Sequence, residues 1–201
     1  MSQVTLTSDP LGSATTGTFE FENPAFFMTG ATSQRGAVLV DQYILLQATN
    51  TLTSQTAAQA LFDVTGSGQV TLVPGTYEFE CTFSLSSMSG SSGSFGFALG
   101  GGATLTQYWV ATARKSALTD TATTNPSVVS YNTAANTALT AANLITTGFA
   151  RIIGLAIVTV GGTVIPQVSL GVAAAAVVGI GSYFKIRALG GAAATSSGNW
   201  S

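Results

Sequence analysis

TYEFECTFSLS, residues 76–86, decides the fold class. Tyr77, Phe79, Cys81, Phe83 and Leu85 alternate here with Glu78, Glu80, Thr82, Ser84 and Ser86. A period of two marks a β-strand, because successive side chains leave opposite faces of the pleat. The apolar set needs a cover and the polar set does not, so the strand is half-buried. Pro74-Gly75 supplies a turn before it, and the Ser/Gly-rich run 86–94 a flexible connection after it.

Further strand signals lie on both sides. Downstream they cover 95–99, 108–113, 149–160, 164–170, 172–178 and 182–189. Pro166 predicts a break or bulge in 164–170. Ala173–Ala176 has helical propensity, but the flanking valines favour strand. Upstream, 18–22 (TFEFE) and 25–29 read as short strands around the turn signal Asn23-Pro24, and 37–46 (AVLVDQYILL) reads as one buried strand. Residues 57–62 fit a short strand or a helical turn, and 128–131 a strand within the Thr/Ala/Asn-rich stretch 116–143. Many short strands without an amphipathic helix predict an all-β antiparallel sandwich or barrel. Residues 1–17 read as an extended arm, 18–190 as the packed domain with 18–36 as an arm-to-domain junction, and 191–201 as a small-residue tail.

Composition narrows the chemistry. The chain has 201 residues, with 6 Lys and Arg, 8 Asp and Glu, no His and 1 Cys. A disulfide framework needs a second cysteine, and Cys/His zinc sites and His-activated nucleophiles need imidazole. Six basic residues are too few for a phosphate-backbone reader, so no nucleic-acid partner is expected. Neither a cofactor nor a metal is expected, and no enzymatic activity. Charge is 7% of the chain while 46% is hydrophobic. A surface so poor in charge resists association weakly, so much of it is expected to be subunit interface. No charge falls between Ile152 and Phe184, but Gly161, Gly162, Pro166, Gly171 and Gly179 cut the run into strand lengths, so no membrane span is expected. Residues 1–7 lack the basic and apolar runs of a signal peptide.

Candidate functional groups are few. Glu20 with Glu22, and Glu78 with Glu80, each project about 7 Å apart from one strand face, a glycosidase-like spacing. A solvated outer face explains them more simply. The glycine clusters 66–68, 100–102 and 179–181 lack the Gly-Lys-Ser/Thr of a phosphate loop and read as turns. Cys81 reads as a small buried hydrophobe. Tyr108, Trp109, Tyr131 and Trp200 are candidates for stacking on sugar rings, against the more ordinary reading as core or interface.

The opening LTSDPLGSATTGTFEFENPAFFMTGATSQRG resembles a recurrent bacteriophage virion segment, through Leu6, Thr7, Pro10, Gly17, Glu20, Phe26, Phe27, Thr29, Arg35 and Gly36. VPGTYEFECTFSLSSMSGSSGSFGFALGG, TVIPQVSL and VGIGSYFKIRALG resemble the head domain that follows it in phage fibre proteins. The resemblance implies a homotrimeric jelly-roll knob similar to tumour-necrosis-factor-like folds. It implies that Gly75–Phe79 and Gly181–Phe184 pack near the three-fold axis, which makes Tyr77, Phe79, Tyr183 and Phe184 trimer-interface candidates. Leu6, Pro10, Glu20 and Arg35 become arm and junction candidates, with Arg35 pairing Glu20 or Glu22 across strands. The expected role is a structural protein on the virion surface, made in the host cytoplasm, which decorates and stabilises the capsid through the major capsid protein or other virion proteins. The alternative is a receptor-binding tail-fibre knob that reads host glycans through Tyr108, Trp109 and Tyr131.

Overall fold

A computed structural model of the chain describes residues 19–22, 25–29, 35–38, 41–63, 65, 68–114, 127–131, 137–140 and 146–191. The arm 1–17, with Leu6 and Pro10, and residues 192–201, with Trp200, lie outside them. The described residues are all-β and contain no helix.

A three-stranded antiparallel sheet comes first: β1 (Phe19–Glu22), β2 (Ala25–Thr29) and β3 (Arg35–Val38), with β2 in the middle. The remaining strands build two antiparallel sheets around one core. The first contains β4 (Asp41–Leu45), β5 (Asn50–Thr51), β8 (Gly75–Ser86), β10 (Thr104–Arg114), β11 (Ser127–Tyr131), β13 (Gly148–Val160), β15 (Val177–Val178) and β16 (Tyr183–Gly190). Its order is β11-β10-β13-β8, and the far edge of β8 is shared by β16, which pairs β4, and β15, which pairs β5. The second contains β6 (Gln59–Ala60), β7 (Val70–Leu72), β9 (Phe95–Gly100), β12 (Thr137–Ala138) and β14 (Gly162–Leu170). Its order is β12-β9-β14, with β6 and β7 both on the outer edge of β14.

The alternation in β8 does what its period requires. Tyr77, Phe79, Cys81, Phe83 and Leu85 are buried between the sheets, and the residues between them face away. Phe97 from the opposite sheet packs on Phe79 and Phe83, with ring centroids 6.4 Å from each, and Phe83 meets Phe95 edge-on at 5.8 Å. These four rings are among the largest fully buried side chains of the described residues. Cys81 is fully buried, which pushes its thiol well above the usual range and keeps it un-ionised.

Several expectations need correction. The run 37–46 is not one buried strand. It divides into β3 and β4, which belong to different sheets, and β4 turns Tyr43 and Leu45 outward. The 172–178 segment keeps only Val177–Val178 as strand. The 57–62 segment resolves to the two-residue strand β6.

Strand β14 is neither broken nor bulged at Pro166, which pairs Leu99 in continuous register. The carbonyl of Pro166 accepts from Leu61 N–H at 2.9 Å, so the backbone edge of this residue faces away from β9. The missing proline N–H therefore costs no bond to β9, and on the other edge the Leu61 carbonyl accepts from the Asn50 side-chain amide instead. Leu99 accordingly points its own N–H and C=O away from β14. β12 reaches only Gly96 and Phe97, so no strand of the described residues meets them there. Gln107 of β10 does. Its Oε1 accepts from Leu99 N–H at 3.1 Å and its Nε2 donates to Leu99 C=O at 3.2 Å. One buried amide thus plays the part of a strand partner and ties the two sheets together.

Candidate functional site

Among the residues whose side chains are described, all the charged ones but Asp63 lie on the outer face of the larger sheet. Register sets its residues out in rows across β10-β13-β8-β16-β4. One row runs Val110, Ile153, Glu80, Lys185, Tyr43, the next Tyr108, Leu155, Glu78, Arg187, Asp41, and a third Thr112, Arg151, Thr82, Tyr183, Leu45. The result is banded. Exposed apolar side chains on β10 and β13 form one band, including Val110, Phe149, Ile153 and Leu155. The charges of β8 and β16 form the middle, and Tyr43 (61% exposed) and Leu45 (56% exposed) form the far band.

The middle band is internally paired. Arg151 Nε donates to Glu80 Oε1 at 2.7 Å, Tyr183 Oη donates to the same oxygen at 2.8 Å, and Lys185 Nζ lies 3.7 Å from Glu80 Oε2. Arg187 Nε donates to Glu78 Oε2 at 2.8 Å, and Tyr43 Oη donates to Asp41 at 3.2 Å. Burial pushes the Glu80 carboxyl up, but the bonds from Arg151 and Tyr183 and the charges of Arg151 and Lys185 together outweigh it. The group is held below its ordinary value. Bonding to Glu78 raises Arg187 above its ordinary range. A carboxylate held ionised by two cations does not suit general-acid chemistry, which needs a raised pKa. Glu80 is therefore an element of a charge lattice, and beside it Glu78 is bonded to Arg187. Among the described residues, the Thr82 hydroxyl is buried in this face without a hydrogen-bond partner.

The predicted site residues scatter. Tyr77, Phe79 and Phe184 lie in the core, where Phe79 and Phe184 pack with ring centroids 6.0 Å apart. Their side chains present no surface to a second copy. Of the four, Tyr183 alone is on the outer face. Trp109, 3% exposed, sits inside the sandwich edge-on to Phe97 at 5.8 Å, and its indole N–H donates to Gln107 Oε1 at 3.1 Å. It has no free ring face for a sugar. Tyr108 is exposed on the outer face, next in the strand to Trp109. Tyr131 lies on β11 opposite Trp109 in the register. Arg35 lies on β3 and Glu20 and Glu22 on β1, with β2 between them, so they are not cross-strand neighbours. The sequence reading missed Tyr43, Leu45, Ile153 and Leu155 as surface. Their signal was the residue set opposite the buried set in each strand.

Two clefts open elsewhere. One of about 280 Å³ lies between residues 56–58 and the ends of β9 and β14. The other, about 200 Å³, lies beside Asn50, Thr53, Gln59 and Asp63. Polar groups there are already engaged: Gln59 bonds Thr53 N–H and C=O, Asn50 donates to Leu61 C=O, and Asp63 accepts from Thr65. Among the described residues no group of three or more His, Cys, Asp or Glu could hold a metal ion, and no helix is long and apolar enough to cross a membrane. Compared with protein-family models, curated proteins and solved structures, the chain matches none.

Proposed function

We propose that the chain is a structural protein of a bacteriophage virion, displayed on the particle surface as a homotrimer that decorates and stabilises the capsid. The observation that carries this reading is the strand order. Take β4, β7, β8, β9, β12, β13, β14 and β16 as eight strands in sequence. One sheet then contains the first, eighth, third and sixth side by side, and the other the second, seventh, fourth and fifth. That interleaving supports a jelly roll, a fold suited to shells and surface knobs. It agrees with the resemblance of the opening segment and of Gly75–Phe79 and Gly181–Phe184 to phage head domains. Fold alone does not carry function, so the resemblance is the second support.

The mechanism is mechanical. Long, mutually paired strands make a stiff knob with no edge exposed along β8 or β13. The arm 1–17 adds contacts to the major capsid protein or another virion protein by strand addition. Several arms on one oligomer multiply a weak contact through effective concentration. The test is copy number. Purified virions separated by electrophoresis should contain this chain in hundreds of copies, scaled to the major capsid protein. Tens of copies or fewer would instead favour a receptor-binding tail-fibre knob. Absence from purified virions would end both readings.

A further inference from the structure

We propose that copies of this chain associate through the outer face of β10-β13-β8-β16-β4. The inference rests on the homotrimer reading for the existence of an oligomer and goes beyond it by assigning the face.

Three observations converge on a second copy as occupant. The first is charge. Among the residues whose side chains are described, three anions (Asp41, Glu78 and Glu80) and three cations (Arg151, Lys185 and Arg187) lie on this face, and only Asp63 carries charge elsewhere. These described charges sum to zero, so they give a strongly acidic or basic partner no net charge to neutralise and meet their own copy without net repulsion. Because Glu80 and Glu78 already have cationic partners, covering them leaves neither of the two buried and unpaired, the arrangement that makes buried charge so costly, while Asp41 on the edge strand β4 accepts from the Tyr43 hydroxyl.

The second is area. The five strands have 11, 13, 12, 8 and 5 residues. At about 3.3 by 4.8 Å of sheet per residue they present about 780 Å². A standard stable interface takes about 800 Å² from each partner. The third is composition. Exposed aromatic and branched side chains flank the paired charges on both sides: Tyr108, Val110, Phe149, Ile153 and Leu155 on one, Tyr43 and Leu45 on the other. Apolar groups this dense on one surface mark an interaction site.

The experiment is sedimentation of the full chain over a micromolar range, with circular dichroism as the check on folding. Ile153→Asp and, separately, Val110→Asp place an unpaired carboxylate in the apolar band. Thr71→Asp, at an exposed position of β7 in the other sheet, is the control. The expected result is an oligomer for wild type and Thr71→Asp. Folded Ile153→Asp and Val110→Asp chains should self-associate at least about thirty-fold more weakly, the scale of an interface hot spot. Two distinct strands are altered, so misfolding of one variant does not remove the test. Variants that stay oligomeric would overturn the assigned face and leave the virion reading intact. A monomeric wild type would overturn both this inference and the trimer, and copy number in virions would still decide the virion reading.

Discussion

Replacing Gln107 by Leu probes the joint between the two sheets. The substitution keeps the side-chain volume and removes an amide that is 4% exposed. Three hydrogen bonds go: from Leu99 N–H, to Leu99 C=O, and from the Trp109 indole. The two Leu99 groups are buried on an edge that no strand of the described residues reaches, so each is left without its partner. A buried polar group stripped in this way costs about 1–3 kcal/mol. Counting those two groups alone gives about 2–6 kcal/mol, of which the added apolar surface of leucine recovers about 1 kcal/mol. The net destabilisation is then about 1–5 kcal/mol. In a chain of this length each kcal/mol lowers the melting temperature by about 2–4 °C. Urea unfolding followed by tryptophan fluorescence is the assay, because Trp109 reports directly on this junction. Thr71→Val, at an exposed position of β7, is the control and should stay within about 0.5 kcal/mol of wild type. A Gln107→Leu midpoint indistinguishable from that control would mean that Leu99 finds other partners at no cost and that this amide does not join the sheets.

Glu80 makes stability pH-dependent. Its folded pKa lies below its ordinary value of 4.5, so its contribution is present above that value and is lost as pH falls through the folded-state value. Urea midpoints should therefore fall below about pH 4.5, and Glu80→Gln should flatten that fall; an unchanged slope would contradict the pairing. Cys81 should ignore thiol reagents in the native chain and react once urea unfolds it, as absorbance of the released chromophore would show; fast native labelling would place it outside the core. Thr82→Val removes a buried hydroxyl that has no partner while conserving shape, so its thermal midpoint should equal or exceed that of wild type. A marked loss would reveal a hydrogen bond to that hydroxyl. Gly154 faces the backbone of Tyr108, and an added Cβ would lie 2.2 Å from that carbonyl oxygen, so Gly154→Ala should cost about 1–3 kcal/mol in urea unfolding, and a neutral result would contradict the close approach.

The sequence revealed strands whose two faces differ. β8 and β16 were legible because an apolar set alternates with Glu, Lys, Arg and hydroxyl residues. Residues 37–46 were not, because apolar residues occupy both faces and period two carries no information there. Only pairing with β16, which sets Tyr43 beside Lys185 and Leu45 beside Tyr183, decides which side faces out. Pro166 misled for a related reason: a proline interrupts a ladder only where its nitrogen faces a partner, and that direction depends on register. Trp109 could have been placed in the core from its alternation with Tyr108 and Val110 and its phase with Ala111 and Ala113, small residues on the same buried face. Phe79 and Phe184 belonged by their own alternation to the covered face. The outer-face band escaped notice because it is assembled from five strands far apart in sequence, and each contributes only two or three of its residues.

On the role proposed above, the chain is an oligomeric surface component of a virion, held together by the paired-charge face of its larger sheet. The decisive measurement is a three-dimensional reconstruction of the particle that carries it. Knobs with three-fold symmetry spread over the shell are expected, each fitted by three chains with Ile153 and Leu155 turned toward neighbouring copies. Single isolated chains, or Ile153 and Leu155 facing open solvent in every copy, would contradict it.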